Sequence, residues 1–127
     1  MDTFSTEKPI YLQISDHITW QIVRNERKPG DKLPSIRDMA LEFKVNPNTV
    51  SRTYQELERM EIVETRRGQG TFVTENLESI VQWKEKLKQE HTRKFIHDMK
   101  QMGFTKEETM RCIDQLFDSN EGGQRHD

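Results

Sequence analysis

The hydrophobic residues near the start of the chain recur every three or four positions, which is the spacing of one face of an amphipathic helix. They are Tyr11, Ile14, Ile18 and Ile22. This pattern predicts a helix over residues 10–24. A turn is expected to follow at Lys28-Pro29-Gly30-Asp31, because proline pre-sets φ and glycine permits a positive φ.

Two more helices are predicted, separated by a turn of three residues, 44–46. Ser35 can cap the second helix, with Asp38 three positions later as in a capping box. Its predicted buried face is Ile36, Met39, Ala40 and Phe43. Asn46 can cap the third helix, and Pro47 suits the first helical position, where no amide hydrogen is needed. The predicted inward face of the third helix is Val50, Tyr54 and Leu57.

After Met60 the pattern changes from helical to extended. The segments 62–66 and 71–73 are rich in β-branched residues and flank Arg67-Gly68-Gln69-Gly70, which indicates a β-hairpin. The sequence therefore predicts a mainly α fold with a small β-hairpin. Three helices followed by a hairpin make residues 1–74 an N-terminal winged helix-turn-helix.

Residues 75–118 are predicted to form a C-terminal two-helix dimerisation element. In the long first helix, sparse apolar residues recur at nearly heptad spacing, with Met99 beside them: Ile80, Leu87, Phe95 and Met102. Gly103 suits the position after its C-terminus, and Thr105 with Glu108 forms a capping box for a short last helix. The apolar face of that helix includes Met110, Ile113, Leu116 and Phe117. Residues 119–127 are expected to form a disordered tail.

The apolar faces of these two helices are predicted to pair with a second copy of the chain. Left uncovered, they would form an apolar patch larger than monomers usually tolerate. A second copy of the chain, related by a two-fold axis, would cover this patch, because an isologous contact matches one patch to itself. The predicted dimerisation residues are Ile80, Leu87, Phe95, Met99, Met102, Ile113, Leu116 and Phe117.

Composition limits the class of protein. Of the 127 residues, 31% are hydrophobic and 33% are charged, which indicates one small folded domain with an attached segment. A chain of this length buries only about two-thirds of its unfolded surface, so a large enzyme core is excluded. No secretory signal or membrane-length apolar run is present in the sequence. We therefore expect a cytoplasmic protein without a membrane partner.

Catalytic and metal sites are not indicated by the sequence. There is no phosphate-binding loop, nucleophile elbow or His-Glu-x-x-His motif. The four histidines are scattered, and Cys112 is the only cysteine, which excludes a Cys-rich zinc site. We expect no enzymatic activity, no cofactor and no metal.

The start of the third helix carries the first candidate for nucleic-acid binding. Its outward residues are short polar side chains and one guanidinium: Asn48, Thr49, Ser51, Arg52 and Gln55. These types suit a helix in the major groove, where base edges present donors and acceptors. The same pattern fits a solvated helix face with a strong N-cap equally well.

The hairpin loop carries the second candidate. Arg66 and Arg67 are followed by Gly68-Gln69-Gly70, with no acidic residue in the loop. Arg67 could enter a minor groove while the glycines let backbone amides approach phosphate. A Gly-x-Gly loop alone is more often only a tight turn. Residues 1–74 carry equal numbers of basic and acidic side chains, so the prediction depends on where the charges lie and not on their sum.

Three ordered motifs resemble the GntR family of bacterial transcription regulators. They are LPSIRDMA at 33–40, VNPNTVSRTYQELE at 45–58 and GQGTFV at 68–73. The resemblance extends over residues 9–74, and the chain length with its two-helix tail resembles the YtrA subfamily. It implies a homodimer that binds a palindromic operator in double-stranded DNA, usually as a repressor. YtrA-type members often control operons that encode ABC transporters.

The resemblance also implies which residues contact DNA. They are Arg37 on the second helix, Asn46, Asn48, Thr49, Ser51 and Arg52 at the start of the third helix, and Arg67 and Gly68 at the wing tip. Ser35, Arg66 and Gln69, beside these positions, complete the predicted DNA-binding set. The sequence identifies no small-molecule effector. Too few residues follow Thr74 for a conventional effector-binding domain. Any effector is expected in a dimer crevice formed by the tail helices and the first helix.

Two residues depart from the family pattern. Lys44 stands where the family often has glycine in the turn, and Glu61 stands where glycine often ends the third helix. If either position needs a positive φ, a residue other than glycine costs about 1–2 kcal/mol. The alternative hypothesis is a winged-helix protein-interaction module without DNA function, in which Arg66, Arg67 and the polar helix face are incidental.

Overall fold

A computed structural model of the protein describes Phe4 and residues 6–125, with side chains described up to residue 119. The described part contains five helices and one antiparallel hairpin. The elements in chain order are α1 (Ile10–Val23), α2 (Ile36–Phe43), α3 (Pro47–Arg59), β1 (Val63–Arg66), β2 (Gly70–Val73), α4 (Leu77–Gln101) and α5 (Lys106–Arg125). The predicted fold class, mainly α with a small hairpin, is confirmed.

The chain divides into two compact units, residues 1–85 and 86–127. The boundary lies within α4 and not after residue 74, where the composition changes. The reason is that Ile80 and Trp83, on the first two turns of α4, pack against the core of the first unit. Ile80 therefore packs within the first unit, although the heptad pattern assigned it to the dimerisation face.

The core of the first unit is formed by one face of each of its first three helices. α1 contributes Ile14, Ile18 and Ile22; α2 contributes Met39, Ala40 and Phe43; α3 contributes Val50, Tyr54 and Leu57. Leu33, Ile62, Val63 and Val73 complete it from the hairpin side. The predicted faces are confirmed with one correction. Ile36 is 38% exposed, because the first turn of α2 borders a surface groove and not the core.

The predicted caps of α2 and α3 are present. The Ser35 hydroxyl accepts a hydrogen bond from the Asp38 amide at 3.1 Å, and the Asn46 side chain accepts one from the Asn48 amide at 2.7 Å. Each bond satisfies one of the amides that a helix N-terminus leaves free. The two caps set where α2 and α3 begin.

Both positions where the chain lacks the family's glycine have a positive φ. Lys44, after α2, has φ 58°, and Glu61, after α3, has φ 62°. The Val45 amide bonds to the Ala40 carbonyl, and the Ile62 amide to the Leu57 carbonyl, so both helices end in a left-handed turn. Lys44 and Glu61 thus adopt a backbone conformation that favours glycine.

The hairpin is supported by a third extended segment that the sequence did not reveal. β1 and β2 pair from Val63 opposite Val73 to Arg66 opposite Gly70. On the other edge of β2, the Leu33 amide donates to the Thr71 carbonyl and the Val73 amide donates to the Asp31 carbonyl, both at 2.8 Å. These bonds attach the hairpin to the segment that leads into α2.

The second unit consists of most of α4 and all of α5. Gly103 has φ 89°, as predicted for the residue after a helix C-terminus. The capping box is complete: the Glu108 amide donates to the Thr105 hydroxyl at 3.1 Å, and the Thr105 amide donates to the Glu108 carboxylate at 2.9 Å. No described helix is both long and apolar enough to span a membrane.

The last helix is longer than predicted. α5 continues to Arg125, so the backbone of residues 119–125 is helical and not the expected disordered tail. No proline follows Thr105, and each further residue of an established helix adds one backbone hydrogen bond. Residues 126–127 of the predicted tail lie outside the described part of the chain.

Candidate nucleic-acid interface

The start of α3 presents a polar surface. Asn46, Asn48 and Arg52 are exposed, and Thr49 and Ser51 are half-buried. The backbone beneath them is held in place, because the fully buried Thr53 hydroxyl shares its hydrogen between the Thr49 carbonyl on α3 and the Tyr11 carbonyl on α1, each at 3.0 Å. The predicted α3 residues therefore lie together on the first two turns of one helix.

The tip of the hairpin is open. Arg67, Gly68 and Gln69 are exposed, and no atom lies within 4 Å of the place where a Cβ of Gly68 would stand. Glycine is needed there for its φ of 76° and not for space. Backbone amides and the Arg67 guanidinium can therefore approach a large, flat ligand at the tip.

Arg66 differs from Arg67 in its surroundings. Its guanidinium lies over the ring of Phe72, 4.2 Å from the ring centroid, and its Nε lies 4.0 Å from the Glu64 carboxylate. Arg66 is half-buried, whereas Arg67 is exposed. Of the two arginines, Arg67 thus has the less compensated charge.

A groove of about 660 Å³ separates the start of α2 from the hairpin; we call it the wing groove. Its lining includes Lys32, Ser35, Asp38, Tyr54, Gln69 and Thr71. The groove brings the predicted residues Ser35 and Gln69 to one place. Lys32 was missed by sequence reasoning, since its position depends on the unpredicted pairing of residues 31–33 with β2.

The Lys32 side chain lies against the backbone of Gly70 at this groove. A Cβ built at Gly70 would stand 2.8 Å from Cε of Lys32, closer than real side-chain contacts allow. The φ of Gly70 is 126°, which also disfavours any side chain. Glycine here allows the Lys32 stem to lie across the base of the hairpin.

The spacing between α2 and α3 is fixed by a buried tyrosine. The Tyr54 hydroxyl donates a 2.6 Å hydrogen bond to the Pro34 carbonyl, just before α2. Burial raises the pKa of Tyr54 well above its ordinary value, so the hydroxyl keeps its proton. This bond ties α3 to the loop that carries Ser35.

Arg37, near the start of α2, is exposed and has no ion pair within the described residues.

A second groove, of about 410 Å³, lies in the second unit; we call it the tail groove. It brings together the predicted dimerisation residues Phe95, Met99 and Ile113, and adds Ile96 and Phe104, which the heptad pattern did not include. Of the other predicted residues, Leu87 is half-buried, whereas Leu116, Met102 and Phe117 are exposed, the last two by 63% and 69%.

The described residues contain no group of three or more His, Cys, Asp or Glu side chains that could hold a metal ion. Cys112 is a half-buried free thiol on α5.

The sequence and fold of the chain are similar to those of known transcription regulators. The family model described as "Bacterial regulatory proteins, gntR family" matches residues 10–73. The HTH-type transcriptional repressor YtrA of Bacillus subtilis is 38% identical over 120 residues, which cover 94% of this chain and 92% of YtrA.

Two further relatives match most of the chain. The uncharacterised HTH-type transcriptional regulator YhcF of Bacillus subtilis is 56% identical over 110 residues, covering 87% of this chain and 91% of that protein. A solved GntR family transcriptional regulator from Listeria monocytogenes superposes with a TM-score of 0.83 at 38% identity, covering 88% of this chain and 98% of the other. The likeness therefore includes the helices that follow the hairpin.

Proposed function

The chain belongs to the GntR family of DNA-binding transcription regulators, in its YtrA subfamily, and we propose that it is a repressor that binds a palindromic operator as a homodimer. The observation that carries the proposal is the arrangement of the first unit. The capped, polar start of α3 and the open hairpin tip belong to one compact unit. The Tyr54–Pro34 hydrogen bond ties α3 to the segment before α2, and the Leu33–Thr71 hydrogen bond ties that segment to the hairpin.

α3 is the element proposed to read the sequence of the operator. Asn48, Ser51 and Arg52 lie on its first two turns, and such amide, hydroxyl and guanidinium groups match the donors and acceptors of base edges in the major groove. Asn46 and the helix N-terminus favour a phosphate beside them. Specificity is therefore assigned to α3.

The hairpin is proposed to contribute affinity that is independent of sequence. Arg67 is exposed at the tip, and the open space around Gly68 lets the backbone approach DNA closely. Contacts of this kind fix the register of the protein on the duplex and carry no sequence information themselves. Arg37 and Ser35 at the start of α2 are assigned the same role.

The homodimer is proposed to form through the second unit. The tail groove is lined by Phe95, Met99 and Ile113, and Phe117 further along α5 is 69% exposed. An isologous contact would cover these side chains, since the same patch is presented by both copies. A dimer would then present two α3 helices to two half-sites.

The regulated genes are proposed from the subfamily alone. YtrA-type regulators often control operons encoding ABC transporters, and we expect the same here, with the protein acting in the cytoplasm. Any effector is expected at a dimer crevice lined by the tail helices and the first helix.

The test is a gel shift with the promoter region of the protein's own operon. Duplexes of three kinds are compared at equal salt: the intact promoter, one half of its palindrome, and a random duplex of the same length. We expect strong preference for the intact promoter and a footprint with two-fold symmetry. Equal binding to all three duplexes, or none to any, would instead favour a winged-helix protein-interaction module.

A further inference from the structure

Arg52 on α3 lies over an aromatic ring of another helix. Its guanidinium carbon is 4.2 Å from the centroid of the Tyr11 ring, on the first turn of α1. This distance is well within the range of an attractive cation–π contact. The first helix therefore touches a side chain that is proposed to read DNA.

Glu56, the carboxylate at a suitable spacing to pair with Arg52, is bonded to Arg59 instead. Glu56 stands four residues later, the spacing at which a carboxylate commonly pairs with arginine on a helix. Its two oxygens instead accept hydrogen bonds from Arg59 at 2.6 and 3.0 Å, which hold the pKa of Glu56 below its usual value. Within the described residues, Arg52 has no ion pair or side-chain hydrogen bond.

The ring contact leaves the hydrogen-bonding capacity of Arg52 intact. The contact places the central carbon of the guanidinium over the ring, and the five N–H donors of a guanidinium point outward in its plane. The contact therefore holds the Arg52 side chain at the ring without pairing its donors with a hydrogen-bond acceptor, so the donors stay available for DNA. A guanidinium engaged by a carboxylate would have to give up that pair first.

The backbone of Tyr11, beneath the ring, is bonded to α3. The Tyr11 carbonyl accepts hydrogen bonds from the hydroxyls of Thr53 on α3, at 3.0 Å, and of Ser15 on α1, at 2.8 Å. Thr53 is fully buried. The backbone of Tyr11 is thus attached to the helix that carries Arg52, which keeps the ring close to the guanidinium.

We infer that Tyr11 is a positioning residue for operator recognition, whose ring holds the Arg52 guanidinium ready for a bidentate contact with DNA. The inference rests on the proposed function and names a residue outside the helix-turn-helix motif. Pre-orientation lowers the conformational entropy that Arg52 loses on binding. It predicts that the ring of Tyr11 contributes to affinity only when Arg52 is present.

A double-mutant cycle tests this coupling. The variants are Tyr11→Leu, Arg52→Gln and the double substitution, each titrated against the operator duplex by fluorescence anisotropy. Tyr11→Leu should weaken operator binding by about two- to five-fold, the equivalent of an exposed cation–π contact. Added to Arg52→Gln, it should cause no further loss. Tyr11→Phe keeps the ring and should bind as the unmodified protein does.

A structural role of Tyr11 would give a different pattern. If Tyr11→Leu weakened binding equally with and without Arg52, or if Tyr11→Phe were as weak as Tyr11→Leu, the inference would be overturned. Thermal unfolding of each variant identifies losses that come from the fold. In both of these outcomes the unmodified protein still prefers its operator over a random duplex. If the proposed function itself failed, the unmodified protein would prefer no duplex, so the two failures are distinguishable.

Discussion

The indole nitrogen of Trp83 donates a 2.8 Å hydrogen bond to the backbone carbonyl of Met60. Met60 caps the C-terminus of α3, where carbonyls lack partners within the helix. A side chain on the second turn of α4 thus completes the end of the proposed recognition helix. The first turns of α4 are therefore part of the DNA-binding unit, and truncation after the hairpin would remove them.

Trp83→Phe should destabilise the first unit. The phenyl ring keeps most of the packing but cannot donate to the Met60 carbonyl, and the loss of one such bond costs about 0.5–1.5 kcal/mol. The measurement is the free energy of unfolding from urea titration. The control is Val81→Ala on the same helix, where the side chain is 65% exposed and little change is expected. Equal losses in the two variants would contradict this role of Trp83.

Glycine at either left-handed position should stabilise the protein. Lys44 and Glu61 have nearly the same φ, so each substitution relieves about 1–2 kcal/mol of strain and loses about 0.5–1 kcal/mol through the freedom of glycine in the unfolded chain. Lys44 follows the negative end of α2, which it stabilises, whereas the carboxylate of Glu61 follows the negative end of α3 and is repelled. Glu61→Gly should therefore raise the melting temperature more than Lys44→Gly.

A differential scanning calorimetry comparison checks this order. Melting temperatures of the two variants and the unmodified protein are measured in low and high salt. The difference between the variants should shrink at high salt, because the helix-dipole contribution is screened. A melting temperature lowered by both substitutions would mean that the side chains make contacts worth more than the strain.

The elements that carry local signals were predictable from sequence. Ser35 and Asn46 cap helices through bonds to amides two or three residues away, and Thr105 pairs with Glu108 within one turn. Such signals depend only on neighbouring residues, so the starts of α2, α3 and α5 follow from them. The motifs that place Asn48 and Arg67 on the candidate surface are local in the same way.

The features that depend on tertiary contacts were not predictable. Ile80 fits the heptad pattern of α4, yet it packs against the winged-helix core. Residues 31–33 carry no strand pattern, and they pair with β2 because the chain passes its free edge. The Tyr11 ring meets Arg52 only when α1 packs on α3. No periodicity along the chain contains this information.

The two wing arginines should differ in their effect on salt dependence. A dimer that contacts about 6–10 phosphates loses roughly 10³–10⁵ in affinity between 50 and 200 mM salt. Arg67→Ala should weaken binding to every duplex and flatten this slope. Arg66→Ala should flatten it less, because Glu64 and Phe72 already engage the Arg66 guanidinium.

Asn48→Ala provides the contrast. It removes a proposed base contact on α3 and leaves the charge unchanged, so the salt slope should stay the same. Affinity for the operator should fall by about 1–3 kcal/mol, while affinity for a random duplex is retained. Equal loss on both duplexes would assign Asn48 to the phosphate backbone instead of a base.

Phe95→Asp should separate the proposed dimer into monomers. Phe95 lines the tail groove with Met99 and Ile113, so a second copy packed there would bury the new carboxylate without a partner. Sedimentation velocity should show a monomer at concentrations where the unmodified protein is a dimer, with the far-UV helical signal retained. Such a monomer should bind the full palindrome little better than a half-site, because the two DNA-binding units are no longer linked.

Gln82→Asp places the same charge at an exposed position of α4 within the first unit, and should remain dimeric. If Phe95→Asp also remained dimeric with unchanged operator affinity, the tail groove would not be the dimer interface, and the two α3 helices would have to be brought together by another surface.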